Sequence, residues 1–376
     1  MCPIGGHGVK TVGELPIEVN YNHVAPEKQE EKKKLLQKEV IQIDLEKTKT
    51  IADLVESFKR SSIQSRNIAK CAEVFENMLL DEERPLIMMG LSGALIAGGL
   101  RKVIRDMLEY GIVDGIVSTG AIMYQDIYQA QGHKHYMGSP HADDVKLREL
   151  WIDRIYDTYV DEDKFWNTDM RIGRVVGNKM KPGVYSTREF MEFLGAELCQ
   201  KDPNSIVGTA KKQGAPIFVP AIADSSIGIG LAEYYKRVRK TGERVVLDPV
   251  KDNFELSSAM AATGATAAVY IGGGVPKNYI NDAVVTTYLL GTEIPGHKYA
   301  FQITTDAPQW GALSGSTLEE AQSWGKVGGH ATKATAYVEA TIGLPLVVAY
   351  ILHKEIYKKR KRRKITWAEG DLAQVE

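Results

Sequence analysis

The sequence predicts an α/β fold: a doubly wound parallel sheet with helices on both faces. Three observations carry this. From Pro85 onward, short apolar runs alternate with longer amphipathic ones. The short runs are largely apolar throughout, as strands covered on both faces must be. Small residues recur at the end of run after run, where an open parallel sheet binds its ligand.

The elements follow in chain order. Residues 1–45 read as an N-terminal arm: glycine-rich at first, then the charged helical stretch EKQEEKKKLLQKE with few apolar anchors. Helical spacing of apolar residues begins at Ile51 (IADLVESF) and resumes over 68–80 (IAKCAEVFENMLL). The expected strands are PLIMMG (85–90), DGIVS (114–118), PIFVPA (216–221), RVVLD (244–248), TAAVYIGGG (266–274) and KYAFQI (298–303). Helices are expected between them, among them 100–110 and 345–357. Residues 142–202 break the alternation and read as an inserted helical segment within a domain spanning 46–357. Residues 358–376 form a tail that opens with KKRKRRK. Such a run reads as a solvated basic tail, or as a docking patch for an acidic partner.

Composition narrows the function. The 376 residues are 44% hydrophobic and 25% charged, ample for a core and inconsistent with wholesale disorder. The net charge of −1 supplies no global field to recruit nucleic acid or a membrane surface. Cys2, Cys71 and Cys199 lie far apart, which predicts a reduced cytoplasmic setting with neither disulfide nor zinc site. No apolar run is long enough to span a membrane.

The expected strand ends carry Gly90-Leu91-Ser92-Gly93, Ser118-Thr119-Gly120, Ala223-Asp224-Ser225-Ser226, Gly272-Gly273-Gly274 and Thr304-Thr305-Asp306. Glycine lets backbone approach a phosphate, and a following helix N-terminus favours its charge. Several such loops on one edge point to a nucleotide. Neither GxGxxG nor GxxxxGK[ST] occurs, so neither the common dinucleotide fingerprint nor an ATPase loop applies.

The segment EEAQSWGK ends at Lys326. A lysine is nucleophilic only as the neutral amine, which burial favours, and Trp324 offers an apolar wall and a face for a cation. Glu320 could hold a substrate ammonium. Taken alone, a lysine beside a tryptophan is more often a surface residue. His133, His135 and His141 lie near Asp143 and Asp144 but lack zinc-ligand spacing, so no metal is expected. The acidic cluster of Asp157, Asp161, Glu162 and Asp163 reads as a solvated face.

Together these segments resemble the deoxyhypusine synthase family. The likeness covers most of the chain, from about Ile51 to His353. It runs through SSIQSRNIAKCAEVFENML, IMMGLSGALIAGGLRKVI, GIVSTGA, DRIYDTYVDEDKF, PIFVPAIADSSIG, VVLDPVKD, YIGGGVPKNYI and, most specifically, SWGKV. The resemblance implies a Rossmann-like NAD-binding domain in a homotetramer with active sites between paired subunits. It implies an aminoalkyl transferase: NAD takes a hydride from the donor amine, a lysine captures the imine, an acceptor amine displaces the lysine, and the hydride returns. By resemblance Lys326 is that lysine, and Trp324 and Glu320 line the substrate channel. Ser92, Gly93, Thr119, Gly120, Asp224, Gly273, Gly274, Thr305 and Ser314 fall on cofactor-lining positions. Glu339 stands where the family places an aspartate on an NAD ribose.

The departures concern substrate. Ile229 and Leu313 stand where the family carries acidic residues, and Asn278 where it carries a histidine. Ala94 and Gln125 replace an asparagine and a glutamate. Two lost charge-assisted hydrogen bonds, each ~1.5–3 kcal/mol, would cost ~10² to 10⁴ in affinity. Spermidine is therefore not expected in the usual pose. The pattern is closer to the deoxyhypusine-synthase-like branch, which includes enzymes using small polyamines or agmatine, and homospermidine synthase-like members. A small amine acceptor is preferred to a lysine of the hypusine-bearing translation factor, which the basic tail would favour. An NAD-dependent amine dehydrogenase and a non-catalytic NAD-binding oligomer remain the other classes.

Overall fold

Alternation along the apolar runs sorts side chains to the two faces of a sheet. In the computed structural model, which describes residues 23–367 and 373–376, strand Leu86–Leu91 (β1) sends Leu86 and Met88 into one buried cluster and Ile87, Met89 and Leu91 into another. The remaining strands of the central sheet are Gly115–Ser118 (β2), Ile217–Phe218 (β3), Thr266–Ile271 (β4), His297–Ile303 (β5) and Val327–Ala336 (β6). All pair in parallel, in the order β3-β2-β1-β4-β5-β6. The chain winds outward from β1 to β3, then returns to the other side of β1 and winds outward again. That order is the one shared by dinucleotide-binding sheets, and it places a topological switch point between β1 and β4.

Helices cover both faces. Ile63–Leu80 and Ala340–His353 pack into one cluster; Pro249–Thr263 and Gly274–Leu289 pack into the other. The helix predicted from Ile51 spans Ile51–Phe58 and opens with a reciprocal cap between Thr50 and Asp53. The last helix begins at Ala340, capped by Glu339, rather than at Pro345, which lies inside it. Burial of Leu344, Val347, Val348 and Ile351 outweighs the backbone bond that proline cannot make.

Three readings of the sequence need correction. The run RVVLD does form a strand, Val245–Leu247, but it pairs with Gly183–Tyr185 outside the central sheet. Only Val245 of its three residues is buried, too little to earn a central place. The stretch 142–202 is not wholly helical: strands Ile152–Ile155 and Thr158–Asp161 join Tyr136–Met137 in a small antiparallel sheet. The basic run is a solvated tail only in part. The Arg360 side chain is 3% exposed and pairs with the buried Asp114, and Arg363 donates to the carbonyls of Glu83 and Arg84. Lys358, Lys359, Lys361 and Lys364 stay exposed. Guanidinium forks satisfy several carbonyls at once, which a lysine amine does less well, so the arginines turn inward. Strand Ile365–Trp367 then pairs antiparallel with Ala373–Val375, and its Trp367 stacks on Arg188 at 4.2 Å.

Contacts divide the chain into two units, Met1–Ile41 and Gln42–Glu376. Of the first, residues 23–41 are described, and they include helix Gln29–Leu35. Much of the predicted arm, with Cys2, lies outside the described residues. Cys71 and Cys199 are buried free thiols. Among the described residues no helix is long and apolar enough to cross a membrane.

One buried carboxyl makes the fold's stability depend on pH. Asp169, on helix Glu162–Lys179, is buried, and its Oδ1 has no hydrogen-bond partner among the described residues. Burial pushes it up to about 6 from the ordinary 3.8, with the Tyr124 hydroxyl opposing. The folded state thus holds this proton more tightly than the unfolded chain. The resulting stability is full below 3.8 and is lost as pH rises through about 6. Asp169→Asn should therefore stabilise the protein by about 2 kcal/mol at pH 8 and by much less at pH 4. Urea unfolding at the two pH values measures this, and equal effects at both would refute it.

Candidate functional site

A cleft of about 1020 Å³ opens at the switch point, beyond the carboxyl ends of β1, β4 and β5. Ser92 and Gly93 follow β1, Gly272 and Gly273 follow β4, and Thr304, Thr305 and Asp306 follow β5. Ser314, Glu339 and Thr341 complete that side. The small antiparallel sheet forms the opposite wall with Tyr136, Ile155, Tyr156 and Asp157. Asp157, read as part of a solvated cluster, is exposed and also lines this cleft.

The glycines allow the elements to close on one another. A Cβ on Gly272, at φ +70°, would lie 2.4 Å from Ser92 Oγ, and one on Gly273 would lie 2.3 Å from Ser314 Cα. The loop bearing Ser314 is pinned from below. Gln302 Nε2 donates to the carbonyls of Gly272 and Ser314, both at 2.8 Å, and Ser314 Oγ donates to Asp306. Beneath it lies Lys277, 2% exposed, whose amine donates to Gln302 Oε1, the Leu313 carbonyl and both oxygens of Ser316. Burial pushes Lys277 down to about 8; the Glu320 carboxylate opposes this and the Lys326 charge adds to it.

Of the predicted cofactor residues, Ser92, Gly93, Gly273, Thr305, Ser314 and Glu339 line the cleft. Thr119, Gly120 and Asp224 do not. Gly120 is closed off by Ser225, whose Oγ would lie 2.3 Å from a Cβ there, and Asp224 is exposed. Gly274, at φ +58°, starts helix Gly274–Leu289 just beyond the lining.

Lys326 is not in the lining of the cleft. It precedes β6, its side chain is 14% exposed, and it reaches helix Gly274–Leu289. Its Nζ lies 2.9 Å from Asp282 Oδ1 and 3.2 Å from Asn278 Oδ1, with the Trp324 ring centroid at 5.1 Å. The predicted trio of Lys326, Trp324 and Asn278 is thus brought together. The apolar pocket expected around the amine is instead an ion pair. Glu320 is exposed and engaged in a reciprocal helix cap with Thr317. Ile229 and Leu313 are exposed apolar residues, 61% and 46%.

Sequence reasoning missed Asp282, Lys277 and the antiparallel wall. A signal existed for the first: Asn278 and Asp282 stand four apart on a helix opened by the triple glycine, hence on one face. His133 and His135 pack on Tyr128, and the described residues hold no cluster of three or more His, Cys, Asp or Glu arranged for a metal.

The family model "Deoxyhypusine synthase" matches residues 53–351. A Methanosarcina mazei protein named "probable deoxyhypusine synthase 2" is 42% identical over 317 residues, covering 84% of this chain and 90% of its own. The chain belongs to the deoxyhypusine synthase family. "Deoxyhypusine synthase-like protein" of Elusimicrobium minutum is 42% identical over 86% of each chain, and that of Chlorobaculum parvum 44% identical over 83% of this chain and 89% of its own. A solved Entamoeba histolytica chain carrying the deoxyhypusine synthase name shares the fold, with a TM-score of 0.58 at 19% identity, covering 86% of this chain and 99% of that one.

Deoxyhypusine synthases are transferases and generally use NAD. Three features of this cleft suit that cofactor. Its volume lies at the upper end of small-molecule sites, roughly 300–1,000 Å³. Glu339 Oε2 is held by Thr341, leaving the other carboxylate oxygen without a partner among the described residues, as a ribose diol requires. His135 takes Gln129 Nε2 on Nδ1 at 2.8 Å, which leaves the proton on Nε2, a buried donor with no acceptor among the described residues. Burial holds that imidazole neutral, pushed down to about 4.

Proposed function

We propose that this member of the family is an NAD-dependent aminoalkyl transferase that acts on a small amine through an imine on Lys326. The observation that carries it is Lys326 itself, a largely covered amine just before β6 that meets Trp324 and, on the helix that springs from the cleft-lining Gly273, Asn278 and Asp282.

NAD, held by Ser92, Gly93, Gly273, Ser314 and Glu339, would accept a hydride from the carbon bearing the donor's amine and later give it back. The chain's own residues do the rest. Lys326 adds through its lone pair to the oxidised carbon and expels the leaving amine, which departs with a proton. An acceptor amine then adds to the lysine-linked carbon and expels Lys326 as the free amine. The covered setting of Lys326, whose side chain is 14% exposed, limits hydrolysis of that linkage. The acceptor is taken as a small amine; a protein lysine is the alternative, since Lys358, Lys359, Lys361 and Lys364 stay exposed to an acidic partner although the arginines of the run fold against Asp114 and the carbonyls of residues 83 and 84. Exposed Trp310 and Leu313 favour a homo-oligomer that covers them.

Borohydride trapping tests the reading. The protein is incubated with NAD and spermidine, putrescine or agmatine, then reduced, digested and mapped by mass spectrometry. An adduct on Lys326 with one amine names the donor. NAD binding without an adduct from any of the three refutes the reading.

A further inference from the structure

Lys326 poses a chemical problem that its neighbours answer. Its amine, Asn278 and Asp282 close a ring of three contacts: Lys326 Nζ to Asp282 Oδ1 at 2.9 Å, Lys326 Nζ to Asn278 Oδ1 at 3.2 Å, and Asn278 Nδ2 to Asp282 Oδ2 at 2.7 Å. An ammonium in such a ring has no lone pair and cannot add to an imine carbon. Before reacting, Lys326 must leave Asp282 and give up a proton. Burial is uneven across the pair. The lysine side chain is 14% exposed, whereas that of Asp282 is 44% exposed, so an arriving cation can reach the carboxylate without first moving the amine. Trp324, 66% exposed and 5.1 Å from the amine, offers that cation an aromatic face on its way in. The two positions where the family would supply a carboxylate hold exposed Ile229 and Leu313 and cannot compete for it.

We infer that Asp282 receives the cationic group of the amine donor, and that this exchange releases Lys326 as a nucleophile. The inference rests on the proposed transferase reading and deepens it by naming the group that selects the substrate. The donor's ammonium or guanidinium arrives with its own proton and takes the carboxylate. Lys326, no longer paired, gives its proton to solvent and keeps the lone pair. No charge accumulates, because one cation replaces another on Asp282. The resting ion pair also keeps Lys326 from reacting with stray carbonyl compounds until a donor is present. Asn278 acts as the hinge of the exchange: its carbonyl oxygen continues to hold the amine while its NH₂ continues to hold the carboxylate. An ammonium and a guanidinium share the required charge. A guanidinium can also meet both carboxylate oxygens at once, if it displaces the Asn278 amide from the second.

The test compares wild type with Asp282→Asn, Asp282→Glu and Lys326→Ala, all with NAD bound. Steady-state turnover is measured with spermidine, putrescine and agmatine. Separately, cyanate labelling of Lys326 is measured at pH 7.5 without any donor. The exchange predicts that Asp282→Asn raises KM for the working donor by about 10- to 100-fold while kcat falls much less. It also predicts that the same variant speeds Lys326 labelling several-fold, and that Asp282→Glu restores most of both. The donor with the larger KM change, agmatine or one of the polyamines, tells guanidinium from ammonium. An unchanged KM in Asp282→Asn overturns the inference, whatever the labelling rate. The parent reading fails separately: turnover that survives in Lys326→Ala refutes the transferase mechanism, while an inactive Lys326→Ala beside an unaltered Asp282→Asn refutes only the exchange.

Discussion

Lys326→Ala is expected to abolish aminoalkyl transfer, lowering kcat by about 10³-fold or more, which corresponds to ~4 kcal/mol of lost barrier reduction. The lysine forms the covalent link between donor and acceptor, and no neighbour can substitute. Lys277 is a neighbouring amine whose charge feels that of Lys326, but it is 2% exposed and spends its protons on Gln302, Leu313 and Ser316. Cofactor binding should hardly change, since Lys326 does not line the cleft. NAD affinity within about twofold of wild type, measured by titration calorimetry, is the companion result. Lys326→Arg separates charge from chemistry. It can keep the ion pair to Asp282 but cannot form an imine, and it should be as inactive as the alanine variant. Turnover retained in either variant would remove the covalent role from this residue.

Gly273→Ala should weaken NAD binding by about 10²-fold, or ~2.7 kcal/mol. The added Cβ would lie 2.3 Å from Ser314 Cα and 2.8 Å from Ser314 Cβ, so backbone rather than a flexible side-chain tip must move. The Ser314 segment cannot retreat freely. Gln302 holds its carbonyl at 2.8 Å, and Asp306 holds its hydroxyl. Either the loop lifts and loses those bonds or β4 and its helix shift, and both outcomes deform the cleft wall. Gly329→Ala is the control: this glycine is exposed on β6, and a Cβ there meets nothing within 4 Å. Its NAD affinity and melting temperature should match wild type. Equal affinity in the Gly273 and Gly329 variants would mean that the cleft does not hold the dinucleotide.

The central strands were legible because each needs only its own residues to declare itself. β1, β2, β4 and β5 are runs whose side chains are almost all buried. β6 was not legible. Its sequence, VGGHATKATA, carries two glycines, a histidine and a lysine, and it lies at the edge of the sheet, where only one neighbour and one partly buried face constrain it. The run RVVLD failed in the opposite sense. It looks like a strand and is one, but apolar content does not say which sheet receives it. The arginines of the basic run misled for a similar reason, since a charge run gives no sign that Asp114 and free carbonyls wait for it 246 or more residues earlier.

The site divides along the same line. The sequence by itself determined the chemical inventory: a lysine beside a tryptophan, glycines at strand ends, a carboxylate at position 339, and a family likeness extending over most of the chain. These are properties of residue type and local spacing, and they survive without coordinates. Tertiary structure alone decided which strand ends share a cleft. It set Ser225 against Gly120 to exclude one loop and brought a distant antiparallel sheet over to serve as a wall. It alone set Asp282 against Lys326 across 44 positions of chain. Electrostatic pairing acts through space over a few ångströms, and only the folded path of the backbone says which charges come that close.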